Sequence, residues 1–142
     1  MKRILVALDG SPRAQTVLAA AARLAELASS KLVLFRAIGI PSDMPREILN
    51  LMDRSLEDLL IGNAHAELER IAASLPPGRV ERIITPFATA WDGICRTARE
   101  LDVDLIVIGS HGYTGIDRVL GTTAARVVNH ADRNVLVVRT LL

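Results

Sequence analysis

Two stretches of the chain carry residues whose types and spacing suit the binding of an anion. One reads Gly109-Ser110-His111-Gly112-Tyr113-Thr114-Gly115 and leads, after Ile116 to Leu120, into Gly121-Thr122-Thr123. Phosphate is held by backbone N–H groups that point outward with no Cβ in the way, and glycines supply both conditions. A helix opening near Gly121 adds unpaired N–H groups and the positive end of its dipole. Thr122 and Thr123 add hydroxyls able to donate to phosphate oxygens or to reach a metal. Any one of these glycines alone would mean no more than a surface turn; several of them, followed by a helix that starts on two hydroxyls, favour phosphate. The other stretch is Asp9-Gly10-Ser11, a carboxylate at the end of an apolar run. Asp9 there either binds ribose or a metal, or caps the helix that follows.

The glycine stretch is not a Walker A loop, because no Gly-Lys-Ser/Thr occurs, and no Gly-x-Gly-x-x-Gly dinucleotide turn is present. Backbone cradling with no lysine at a transferring phosphate suits binding better than fast hydrolysis. Other reactive side chains form no catalytic group. His111 touches phosphate through its ring or contributes only its backbone. His130 near a helix C-terminus is read as structural, favoured there by the dipole, and His65 as a solvated residue of a long helix. The three histidines lack metal-ligand spacing. Cys95 shares an apolar face with Ile94 and Ala98 and reads as a buried, inert thiol. Arg118 is either a phosphate contact or, more commonly at such a place, a surface arginine.

The elements that must position these residues alternate between two periods. Ile4-Leu5-Val6-Ala7-Leu8 is an unbroken apolar run, as in a strand covered on both faces. Ser11 as N-cap and Pro12 at the first helical position then predict a helix to about Ser29, with Val17, Ala21, Leu24 and Ala28 on its apolar face. Leu32 to Phe35 predicts strand two, ending near Ala37. After turn-rich Gly39 to Pro45, a long helical pattern runs through Ile48, Met52, Leu56, Leu60, Ala64, Leu68, Ile71 and Leu75 until Pro76-Pro77-Gly78, with a kink or break allowed at 50–55 or at Gly62. Val80 to Thr85, charged at Glu81 and Arg82, predicts an edge strand. Thr89-Ala90-Trp91-Asp92 has the form of a capping box, and the helix behind it places Trp91, Ile94, Cys95, Ala98 and Leu101 together. Leu105 to Ile108 and Val135 to Val138 are strands four and five, flanking the glycine loop and its helix.

Five strands alternating with helices predict a doubly wound, Rossmann-like parallel sheet of order 3-2-1-4-5 in a single domain spanning residues 1–142. Ligands in such sheets sit beyond the carboxyl ends of the strands where the winding reverses. That point lies between strands one and four, where the two distinctive stretches end. Strand five, apolar and at an edge, invites pairing with a second chain, unless Thr140-Leu141-Leu142 covers it.

Composition narrows the classes further. The 142 residues suit one domain, and a formal charge of +1, from 17 basic and 16 acidic residues, creates no field for nucleic acid or an anionic membrane. Four aromatic residues (Phe35, Phe87, Trp91, Tyr113) are too few for a base-stacking platform. One cysteine allows no intrachain disulfide. The apolar run at the start is shorter than a signal-peptide core needs, and no segment approaches the roughly 18 apolar residues of a membrane span. The expected compartment is the cytoplasm.

Three segments together give the chain a resemblance to the universal stress proteins, over essentially its whole length. They are Ile4–Ser11 ending in Asp-Gly-Ser, Asp104-Leu105-Ile106-Val107-Ile108-Gly109-Ser110-His111-Gly112, and Asn134-Val135-Leu136-Val137-Val138-Arg139. The resemblance implies the doubly wound fold, dimerisation through the last strand, and a place among the ATP-binding members, which carry Gly-x2-Gly-x9-Gly-Ser/Thr. Carried over, it implies that Gly109, Gly112, Gly121 and Thr122 hold phosphates and ribose, with His111 and Thr123 beside them as candidate ATP contacts. Asp9 then accepts from the adenine or ribose side, Ala37 presents backbone to adenine, and Ala7, Leu8 and Ile108 complete the shell. The ligand implied is ATP (or AMP or ADP), with Mg²⁺ or Mn²⁺ on the phosphates. The homodimer implied forms through Val135, Leu136, Val137 and Val138. One departure is plain: eight residues separate Gly112 from Gly121, not nine. The loop closes one residue shorter, or another residue takes the last glycine's role. A nucleotide-independent dimeric interaction protein is the alternative this keeps open. An ATP-using enzyme ranks below both, for want of a general base, a His-x-Gly-His motif or a Ser-Gly-Gly-x-Asp loop.

Overall fold

In the computed structural model, residues 1–39, 47, 54–110 and 121–140 are described, 54 and 55 by their backbone alone. The strands are β1 (Arg3–Ala7), β2 (Lys31–Phe35), β3 (Val80–Ile84), β4 (Leu105–Gly109) and β5 (Asn134–Val138). The helices are α1 (Ala14–Ala28), α2 (Arg54–Ala73), α3 (Ala90–Glu100) and α4 (Thr122–His130). The strands form one sheet in the order β3-β2-β1-β4-β5, every neighbouring pair parallel, as the alternation predicts.

Side chains of a strand alternate between faces. Ile4, Val6 and Leu8 therefore pack with Val17, Ala21 and Leu68 on one side, while Leu5, Ile106 and Ile108 pack with Ile94, Ala98 and Val127 on the other. The inner strands are apolar on both faces because both are covered. At the margins, β3 exposes Glu81 and Arg82, and β5 exposes Asn134 and Leu136, so both edges fall where the sequence puts them. A register shift between Leu32 and Val33 opposite Val80–Arg82 kinks the β3 edge.

Local signals were less faithful. α1 starts at Ala14, not at Pro12, because Ser11 turns both its N–H and its hydroxyl back onto Asp9 and is lost as a cap. Pro12 and Arg13 instead form a turn closed by the Ala14 N–H on the Ser11 carbonyl at 3.1 Å. The buried face of α1 runs Val17, Ala21, Ala25; Leu24 packs only at the margin and Ala28 is exposed. Thr89 is the N-cap of α3, but no side chain closes the capping box, and Asp92 pairs with Arg96 at 2.8 Å instead. On α2 the apolar stripe is buried at Ala64 and Leu68, yet exposed at Leu56 and Leu60. Ile48 and Met52 lie outside the described residues, as do Leu141 and Leu142.

The opposite end of the sheet is closed by charge-assisted bonds. Asp104 accepts the backbone N–H groups of Lys2 (2.6 Å) and Arg3 (2.9 Å), which hold its carboxyl below the usual carboxylate range. Arg3 forks onto Glu81 at 2.7 and 3.0 Å, tying β1 to β3 across β2.

Candidate functional site

Strands β1 and β4 lie side by side, with Leu5 opposite Ile106 and Val6 opposite Val107. Asp9 and Ser110 thus leave adjacent strands at the same end, with α1 and α4 departing to opposite faces. The sequence-derived site is the gap between these departures.

Asp9 is exposed, and its Oδ1 accepts from the Ser11 N–H (3.0 Å) and the Ser11 hydroxyl (2.6 Å). The second carboxylate oxygen has no partner among the described residues. Asp9 thus closes a turn onto Ser11 and does not cap α1, whose N-cap Arg13 has no side-chain cap bond. A side chain at Gly10 would meet nothing within 4 Å, so the space above the β1 turn is open.

Ala37 supplies the other polar edge. Successive residues of a parallel strand direct their N–H and C=O to alternate neighbours. Phe35 accepts from Leu8 of β1 at 2.8 Å, whereas Arg36 donates to Ile84 and Ile38 donates to Pro86 on the β3 side. The N–H and C=O of Ala37 therefore face the β1 side, where β1 has ended. Neither has a partner among the described residues. A donor and an acceptor side by side can read the edge of a planar heterocycle.

At the β4 side, Gly109 is glycine for packing. A Cβ built there would stand 3.0 Å from Val17 Cγ2, so a larger residue would force that methyl or α1 to give by a few tenths of an ångström. Ser110 is buried; its N–H bonds Val138, its carbonyl accepts the Gly121 N–H at 3.0 Å, and its hydroxyl accepts the Thr140 N–H at 3.2 Å. Gly121, buried and N-cap of α4, has thus already committed its N–H. The exposed Thr122 and Thr123 follow, with N–H groups unpartnered among the described residues at the positive end of α4. His111 and Gly112 lie outside the described residues, with Tyr113, Thr114, Gly115 and Arg118.

Ala7, Leu8 and Ile108 are largely covered, although Leu8 lines the cleft beside Asp9. Leu8 is 1% exposed, donates to Phe35 and accepts from Arg36, so neither its side chain nor its backbone is free. Ile108 is 2% exposed and pairs with Val137. Ala7 is half-buried against the α3–α4 layer.

Arg36 was missed. Its Nε donates to the Leu8 carbonyl at 3.0 Å and a terminal nitrogen reaches toward the Asp9 carbonyl at 3.4 Å. The other terminal nitrogen pairs with Glu67 of α2, holding that carboxyl below its usual range. Arg36 thus fastens the β1 turn to α2. The available signal was a cation placed directly after the buried run Leu32–Phe35. Beside it a cleft of about 510 Å³ opens between α1 and α2, lined by Asp9, Ser11, Gln15, Arg36, Glu67 and Arg70.

The remaining candidates are structural. Cys95 is buried, which pushes its thiol up, with Asp92 adding to the shift. His65 pairs with Glu69 at 3.2 Å, and His130 packs on Trp91 with ring centroids 4.8 Å apart. Among the described residues no group of three or more His, Cys, Asp or Glu side chains converges as a metal site. No described helix is long and apolar enough to cross a membrane.

Sequence and structure comparisons find the same likeness. The sequence profile described as the universal stress protein family matches residues 1–139. Universal stress protein A homolog 1 of Coxiella burnetii is 30% identical over 141 residues, covering 96% of this chain and 95% of its own. Universal stress protein UspA from Lactobacillus plantarum has the same fold, with a TM-score of 0.76 at 24% identity and 97% of each chain covered. A universal stress protein solved in complex with cAMP aligns with a TM-score of 0.69 at 25% identity, over 99% of this chain and 98% of its own.

Proposed function

The chain belongs to the universal stress protein family, and from that premise we propose that it is an adenine-nucleotide-binding regulator of the stress response. Its ligand is ATP, in preference to AMP or ADP. The adenine lies against the Ala37 backbone, the ribose against the outer oxygen of Asp9, and the phosphates at the start of α4 beside Thr122 and Thr123. The observation that carries this reading is the N–H and C=O pair of Ala37, which has no partner among the described residues and lies on the β1 side, where Asp9 borders the gap. The cAMP held by one solved relative is an adenine nucleotide too, which supports the same class of ligand here.

No convergent carboxylate or histidine cluster is present among the described residues. Mg²⁺ or Mn²⁺ would therefore enter on the phosphates, with the Thr122 and Thr123 hydroxyls as the nearest protein oxygens. The glycine stretch carries no lysine for a transferring phosphate, so we take hydrolysis as slow or absent, with the nucleotide favouring one conformation of the site's rim. The protein works in the cytoplasm as a two-fold dimer paired through Val135–Val138, the edge that β5 leaves open.

One observation favours the alternative, a nucleotide-independent interaction protein: the Gly121 N–H is already spent on Ser110. Native mass spectrometry of freshly purified protein, followed by calorimetric titration with ATP, separates the two. Retained or titratable adenine nucleotide supports the proposal; no binding at millimolar ATP refutes it.

A further inference from the structure

We propose that Arg13 is an anion ligand of this site, holding the phosphate chain of the nucleotide, so that ligands with several phosphates are preferred over the nucleoside. The inference rests on the nucleotide reading above and adds to it the group that selects for charge.

Three observations on Arg13 meet. Its Nε is enclosed by protein and has no hydrogen-bond partner. Enclosed or half-enclosed guanidinium groups elsewhere in the described fold are committed: Arg36 to Leu8 and Glu67, Arg79 to the carbonyls of Ala25 and Ser30, Arg133 to Val103 and Asp102. Burying the N–H of a charged group without a partner is costly; the enclosed Nε itself stays out of reach, and an anion arriving at the terminal nitrogens of the same guanidinium would offset that cost.

Its position follows from its backbone. Arg13 has φ −70° and ψ −17°, so it already continues the spiral of α1. Residues four apart share a helix face, and side chains lean toward the N-terminus. Val17, four residues on, packs against Gly109. Arg13 therefore projects one turn further along, over the end of β4, where Ser110 leaves the sheet.

Among the described residues, no acidic side chain of the two helix starts opposes its charge. Neither α1 nor α4 has an acidic residue in its first turn, so neither positive helix end is neutralised from within. Asp9 does not pair with Arg13; its bonds go to Ser11. Arg13 and the amides of Thr122 and Thr123, unpartnered among the described residues, thus frame the β4 end from two helices.

The test is calorimetric titration of the intact protein, unsubstituted and as Arg13→Gln and Arg13→Lys, with ATP, adenosine and inorganic tripolyphosphate. The result expected is a loss of about tenfold to a hundredfold in affinity for ATP and tripolyphosphate in Arg13→Gln, unchanged adenosine binding, and partial retention in Arg13→Lys. Thermal melting without ligand checks the fold and is expected unchanged or raised, because the substitution removes an enclosed charged N–H that has no partner. Arg13→Gln binding ATP as tightly as the unsubstituted chain overturns the inference, as does equal affinity of the unsubstituted chain for ATP and adenosine. Tripolyphosphate binding without ATP binding upholds the anion ligand and refutes the adenine reading; binding of neither refutes both.

Discussion

Gly109 and Val17 meet where β4 ends: a methyl group added to the glycine would stand 3.0 Å from the valine's Cγ2 and 3.8 Å from Thr140 Cγ2. The glycine read from sequence as a phosphate cradle is therefore first a packing device, setting how closely α1 approaches the sheet. Gly109→Ala is expected to cost about 1–3 kcal/mol through overpacking. In chemical denaturation, Val17→Ala in the same chain recovers part of that loss, so the two changes are not additive.

Arg36 gives a second test, because its two main contacts differ in burial. Its guanidinium serves the Leu8 carbonyl in the interior, whereas the Glu67 side chain is 51% exposed. Arg36→Met, which strips the Leu8 carbonyl of that bond, is expected to cost about 1–3 kcal/mol and to weaken nucleotide binding by loosening the Asp9 turn. Glu67→Gln, a change at a solvent-screened pair, is expected to cost less than about 1 kcal/mol. Equal losses in the two variants by urea denaturation would contradict this division.

Acid stability follows from Asp104. Its folded carboxyl lies below the ordinary range because two backbone N–H groups donate to it, and the carboxyls of Glu81 and Asp132 are lowered by their arginine partners. A carboxyl lowered by folding stabilises fully above its unfolded value of about 3.9 for Asp, and that contribution is lost as the pH falls through the lower folded value. Asp104→Asn is expected to flatten the acid limb of the stability–pH curve while leaving its slope above neutrality unchanged, read from melting temperatures across the range.

The strand order was legible because the inner strands are short apolar runs separated by helical periods, and because Glu81 and Arg82 marked an edge. Coverage was not legible. A period says which face of a helix is apolar but not how far the sheet extends beneath it. α2, with 20 residues, is roughly 30 Å long, while its neighbouring strands of 5 residues span roughly 17 Å. Leu56 and Leu60 thus overhang the sheet and stay exposed. At the site, Asp9 stood out at the end of strand one, and Ala37 entered only through the family resemblance. Arg36 was not, because its role depends on a carbonyl of β1 and a carboxylate of α2 that only the fold brings together. Ser11 and Thr89 misled because a capping residue competes with closer partners: Asp9 took the one, and Asp92 turned to Arg96 beside the other.

The edge strand yields the fourth prediction. Leu136 is 37% exposed on β5, at the margin through which the proposed dimer pairs. Leu136→Lys is expected to convert dimer to monomer in size-exclusion chromatography with light scattering, with the melting of the monomer fold little changed. A chain already monomeric before substitution would remove the dimer from the account.

The central claim is that an adenine nucleotide lies between Asp9 and the start of α4, read by the backbone of Ala37. The most direct measurement is an amide-resolved NMR titration of the intact chain with ATP. The N–H signals of Gly10, Ala37, Thr122 and Thr123 are expected to move together in one saturable transition, while those of Lys2, Lys31 and Val80, at the far end of the sheet, stay still. Saturable shifts confined to any other surface, or no shift at millimolar ATP, would contradict it.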